Sequence, residues 1–179
     1  MTGLWVLAQA FAVLSYCARF TGAWRRDRRW TLILTSAASA LLGASNICMG
    51  LWGIAAINAV ATIRGFALAG GNGDRTRRKV IVTGLLFTTL SIGLYLGISG
   101  IPNVWWEWLP VVGTSAITLT QAANNPLTLK VGAMAGSVCW GATYALLGSP
   151  VPAVVSMVSF TLSVVAAARI VRARDKSCA

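Results

Sequence analysis

There is no histidine in this chain, and its acidic residues number four: Asp27, Asp74, Glu107 and Asp175. General acid–base catalysis needs a group that trades protons near neutrality. Metal sites need nitrogen, sulfur or carboxylate ligands that converge. With no histidine, and no Asp or Glu in the middle of an apolar run, neither set assembles. An enzyme is therefore not expected, and no cofactor or metal is implied. Proton coupling through a buried carboxylate, common in pumps and symporters, is disfavoured for the same reason. The four cysteines, Cys17, Cys48, Cys139 and Cys178, show no CxxC spacing, which offers no disulfide or zinc framework. They read as small apolar packing residues and one tail thiol.

Charge of either sign is scarce: 11% of residues are charged, where a soluble domain carries about a quarter. Mean hydropathy is +0.71, and polar residues gather in short bursts. Between the bursts lie apolar stretches near the ~20 residues that a bilayer-spanning helix needs. The expected fold class is an all-α integral membrane protein, a single membrane domain over 1–179. Seven spans are predicted, at 3–22, 31–49, 51–70, 80–99, 104–122, 127–147 and 151–171, followed by a short basic tail at 172–179. The first span has its arginines after the apolar run and none before it, so it reads as a span and not as a cleaved signal.

The basic residues then sort by side. Arg19, Arg25, Arg26, Arg28 and Arg29 border the 1–2 connection; Arg75, Arg77, Arg78 and Lys79 lie in the polar "GGNGDRTRRK" between spans three and four. Lys130 edges the 5–6 connection, and Arg169, which closes span seven, forms the last inner group with Arg172, Arg174 and Lys176. With the N-terminus outside and the C-terminus cytoplasmic, all fifteen cationic residues face inward and Glu107 is the one charge outside. This is the positive-inside pattern of a multi-pass membrane protein. The runs at Arg25–Arg29 and Arg75–Arg78 read as topology anchors that attract anionic lipid. A net charge of +11 also invites a nucleic-acid reading, but no soluble basic surface or arm exists to carry it. Trp5, Trp52, Trp105, Trp106 and Trp108 fall near outer span ends, Trp24 and Trp30 near inner ones, as aromatic belts do. Trp140 alone lies mid-span.

An internal repeat is visible. "SNICMGLWGIAAIN" (45–58) lies over "TYALLGSPVPAVVS" (143–156), a shift of 98 residues that pairs Gly50 with Gly148 and Ala55 with Ala153. "LAQAFA" (7–12) lies over "LPVVGT" (109–114) at a slightly different shift. Three spans (3–70), a linker span (80–99) and three more (104–171) make two parallel halves, because an odd linker restores direction. Parallel repeats about an axis along the membrane normal are a transporter plan.

Polar residues at membrane depth are mostly neutral: Asn46, Asn58, Thr143, Tyr144, Ser156 and Ser159, with Gln9 and Gln121. An amide in hydrocarbon costs free energy without a partner, so Asn58 should face the interior, opposite Ser156 across the pseudo-two-fold. With Trp140 these residues form a candidate pocket for a neutral or weakly polar solute; interhelical hydrogen bonding is the alternative. Pro110 interrupts span five and reads as a hinge or a static bend. Arg64, in the inward half of span three, either snorkels to the surface or binds an anionic solute or lipid phosphate. The glycine pairs in "GLYLG" (93–97) and "GAMAG" (132–136) favour close packing within the molecule over a dimer face, and nothing specific supports a homo-oligomer.

Taken in order, "LAQ" (7–9), "RRDRR" (25–29), the Gly50 turn, "INAVATIR" (57–64), "EWLPVVGT" (107–114), Trp140 before the Gly148 turn and Arg169 resemble the YgjV family of bacterial inner-membrane proteins along nearly the whole chain. The resemblance implies location and layout, and no particular activity. The three-one-three layout is also similar to that of SWEET and PQ-loop transporters, at the level of fold alone. Two features depart from the family: Ser45 and Asn46 stand where a histidine is usual, and Ser163 where a late Asn is usual in span seven. Two functions follow as expectations. One is a facilitator of a small solute, working without carboxylate-based proton coupling; the other is a non-transporting scaffold or assembly partner. A polar interior favours the first, dry packing the second.

Overall fold

The computed structural model of the chain describes residues 2–24, 28–70, 77–122 and 125–178. They form seven α-helices: α1 (Thr2–Trp24), α2 (Arg28–Cys48), α3 (Trp52–Gly70), α4 (Arg77–Ser99), α5 (Leu109–Ala122), α6 (Pro126–Leu146) and α7 (Pro150–Cys178). Among the described residues there is no strand, and the protein is an all-α membrane protein. Helices α1, α2, α3, α4 and α7 are long and apolar enough to cross a bilayer. Of the proposed topology anchors, Arg25, Arg26 and Arg75 lie outside the described residues. Arg28 and Arg29 open α2, with Arg29 exposed, and Arg77 and Arg78 open α4. Helix α7 stays helical to Cys178, so residues 172–178 of the basic tail continue it.

Each repeat is punctuated identically. At the end of α2, the Leu51 N–H donates to the Asn46 carbonyl at 2.9 Å and the Gly50 N–H to that of Ile47 at 3.0 Å. Ninety-eight residues later, Ser149 donates to Tyr144 at 2.8 Å and Gly148 to Ala145 at 3.2 Å. This pairing closes the free carbonyls of a helix end through a residue in the left-handed region. Gly50 and Gly148 occupy it, with φ of 74° and 66°, a conformation in which a Cβ would clash. The helices behind the turns match as well. A Cβ added at Gly43 would lie 3.4 Å from the Cβ of Asn58, and one at Gly141 would lie 3.2 Å from that of Ser156.

In each half the middle helix packs on both of its neighbours, α2 on α1 and α3, and α6 on α5 and α7. Helix α4 packs on α3 and α5, and the halves also meet through α1 with α7 and α3 with α5. These two cross-half pairs are the same pair once the repeats are exchanged. The outer side of α4 exposes Val82, Leu85, Leu86 and Leu90, as a lipid-facing helix must. Gly93 and Gly97 lie on α4 with nothing near their missing side chains, whereas Gly132 and Gly136 are covered by Thr120 and Ile117 of α5. The second glycine pair therefore packs within the molecule.

Span five differs from expectation. Trp105–Trp108 form a 3-10 turn and α5 starts at Leu109. Proline at 110 has no N–H for the carbonyl of residue 106, so an α-helix running through the tryptophans would lose that bond. The Leu109 N–H takes the Trp106 carbonyl instead. Glu107 ties the turn down: its carbonyl accepts from the Tyr95 hydroxyl at 3.0 Å, and its Oε2 from the Asn103 N–H at 3.0 Å. Pro110 thus stands in the first turn of α5, where proline fits without cost. It does not interrupt the helix, so the mid-span break expected there is not formed.

Candidate functional site

A cavity of about 140 Å³ lies between the halves, lined by residues of α1, α2, α3, α5, α6 and α7 and by none of α4. Its walls follow the repeat. Ser39 faces it in one half and Ser137 in the other; Ala61 matches Ser159, and Gly65 matches Ser163. It runs from the end of the bundle where Arg19 and Lys130 line it to mid-bundle, where Ile57 and Trp140 line it. Beyond these the interior is packed. Tyr16, Ile54, Tyr95, Val111, Trp140 and Tyr144 belong to one buried cluster, and Trp140 stacks on Tyr144 with ring centroids 5.6 Å apart.

That cluster is also where the halves are stitched together. The Asn46 Nδ2 donates to the Tyr144 hydroxyl at 3.2 Å, and both residues are fully buried. The Tyr16 hydroxyl donates to the Pro152 carbonyl at 3.0 Å, from α1 to α7. From α3 to α5, the Arg64 Nη1 donates to the Thr118 hydroxyl. Aligned as 7–12 on 109–114, Tyr16 and Thr118 hold equivalent places, so each half contributes one cross-link from the same position.

On the far side of the cluster a second cavity, of about 460 Å³, opens among the start of α3, the end of α4, the Trp105–Trp108 turn and the end of α6. It is lined by Ile54, Pro110 and Thr143, while the first cavity is lined by Ile57, Thr114 and Trp140. These positions are three or four residues apart on α3, α5 and α6, about one helical turn, or ~5 Å. A single layer of side chains separates the two cavities.

The pattern of the bacterial inner membrane protein family Imp-YgjV matches residues 6–174. The chain belongs to that family. No curated protein and no solved structure matches it.

Within this family member the predicted pocket residues divide. Asn58, Trp140 and Ser159 line the first cavity, and Thr143 lines the second. Asn46 and Tyr144 belong to the layer between them. Ser156 lines neither: it is buried against Gly141, and its hydroxyl donates to the Pro152 carbonyl at 2.9 Å. Asn58 lines the first cavity and Ser156 does not, so the two do not share the pocket expected of them. Asn58 donates to the Ile54 carbonyl at 3.0 Å, so its amide is partly satisfied on its own helix.

Arg64 departs most from expectation. It does not snorkel: it is 4% exposed and turns inward to Thr118. Arg19 and Lys130 were not anticipated as cavity residues at all. A partial signal was present, since Arg19, Arg64, Lys130 and Arg169 are the cations that fall inside predicted spans, and the first three line the cavity. Cations inside spans usually point at a bundle interior or an aqueous cavity.

Proposed function

We propose that the protein is a transporter-like facilitator that passes a small polar solute between the two cavities, without carboxylate-based proton coupling. One observation carries this reading: two cavities enter the bundle from opposite ends at the repeat interface and are parted by about one helical turn of side chains. Alternating access needs a layer of this kind, able to loosen on one side while it holds on the other. The similarity of the three-one-three layout to SWEET and PQ-loop transporters supports the reading by analogy of fold. A polar interior favours it over a scaffold, whose helices would pack dry.

Several further expectations belong with this proposal. The basic end faces the cytoplasm, where positively charged connections are retained and meet anionic lipid. The N-terminus lies outside. No reaction is catalysed. Purified protein in liposomes should pass members of a panel of small polar solutes, and the flux should not depend on an imposed proton gradient. Absence of flux across a broad panel contradicts the proposal.

A further inference from the structure

We propose that the first cavity is an anion site, with Arg64 as the direct ligand and Arg19 and Lys130 as flanking charges. Its occupant carries a carboxylate or phosphate group, either on a free solute or on a lipid headgroup. The inference rests on the reading of this cavity as a solute site. It replaces the neutral solute expected from sequence with a negatively charged one.

A guanidinium has five N–H donors and no acceptor, and burying its charge without compensation is costly. The partner of Arg64 is a neutral hydroxyl: Thr118 accepts from Nη1 and itself donates to the Thr114 carbonyl at 2.7 Å. The Nε is buried with no partner. Among the described residues lining the cavity, none is a carboxylate, while three are cations. Three like charges around one enclosed space repel unless something of opposite sign enters.

The residue matching Arg64 in the other half is Leu162, and it lines the same cavity. Lys130 is matched by Leu32 in the same way, and Arg19 by Gln121. The fold therefore accepts an apolar or neutral side chain at each of these places, and packing does not require the charges. Around them, the hydroxyls of Thr114 and Ser159 are buried and unpartnered, placed to donate to an oxyanion beside the guanidinium. Rings of Arg and Lys serve anion and phosphate pathways in this manner.

The test uses full-length protein in a neutral detergent, titrated calorimetrically with inorganic phosphate and with acetate at constant ionic strength in chloride. In parallel, native mass spectrometry reads the lipid retained from nanodiscs of phosphatidylglycerol in phosphatidylcholine. Wild type is expected to bind one of these probes saturably at a single site, and Arg64→Gln to bind it about tenfold more weakly or worse. Saturation by phosphate or acetate identifies a free solute anion. Retained phosphatidylglycerol that neither anion displaces identifies a headgroup. Should Arg64→Gln fail to fold, Lys130→Gln at the cavity mouth and Arg64→Lys, which keeps the charge but loses the planar fork, are each expected to weaken binding. The proposal is overturned if wild type binds none of the probes, or if the variants bind as wild type does. Binding without flux removes the transport reading and leaves the site. Flux of an uncharged solute that Arg64→Gln leaves unchanged does the reverse.

Discussion

Asn46 and Tyr144 occupy the same place in the two repeats, 98 residues apart, and hydrogen-bond to each other. A bond between equivalent residues can form only close to the axis that relates them. It therefore marks the pseudo-two-fold, and it lies in the layer between the two cavities. Tyr144→Phe removes the hydroxyl and leaves a buried amide short of its partner. A loss of about 1 kcal/mol of stability follows, read as a lower unfolding temperature in detergent. Asn46→Ala should cost more, since it also leaves a void.

The two turns should respond alike. Gly50→Ala and Gly148→Ala each force a Cβ into the left-handed region, for about 1–2 kcal/mol apiece. Both variants should lower the unfolding temperature by similar amounts, because the bonds donated by Gly50 and Leu51 have counterparts in those donated by Gly148 and Ser149. A large effect at one turn and none at the other would show that the repeats are energetically unlike.

Glycines inside helices should separate into two groups. A Cβ at Gly132 meets the side chain of Thr120, so Gly132→Ala overpacks the α5–α6 contact and destabilises by about 1–3 kcal/mol. A Cβ at Gly93 meets nothing, and Gly93→Ala should leave stability unchanged or raise it by up to about 1 kcal/mol. Thermal unfolding of the two variants side by side checks the contrast.

Much of this architecture could be read from the chain. Bilayer-length apolar runs and the bursts of charge between them located the helices, and the Gly50–Gly148 match located the repeat. Other features were hidden for physical reasons. The place of α6 between α5 and α7 follows from packing, so nothing in the residues could reveal that Ser156 would pack on Gly141 and stay out of the cavity that Asn58 lines. Trp105, Trp106 and Trp108 read like the end of an apolar span, and the 3-10 turn is tied down by the hydrogen bonds of Glu107 with Tyr95 and Asn103. The direction of Arg64 was concealed because a helix that is apolar on every side carries no polar stripe to point at a cavity.

Orientation is a separate prediction. Reporter fusions should place the N-terminus and the C-terminus in opposite compartments, with the basic end of the bundle cytoplasmic. Both ends in one compartment would mean an even number of crossings and would remove the parallel repeat.

Thiol labelling in native membranes tests the solute pathway most directly. In a variant with its own cysteines replaced, Ser159→Cys should react with a small water-soluble thiol reagent applied from the basic side, because Ser159 lines the first cavity. Ser156→Cys, 3% exposed and packed on Gly141, should stay unreacted. If Ser159→Cys is as inert as Ser156→Cys, the interior is dry and no solute passes through it.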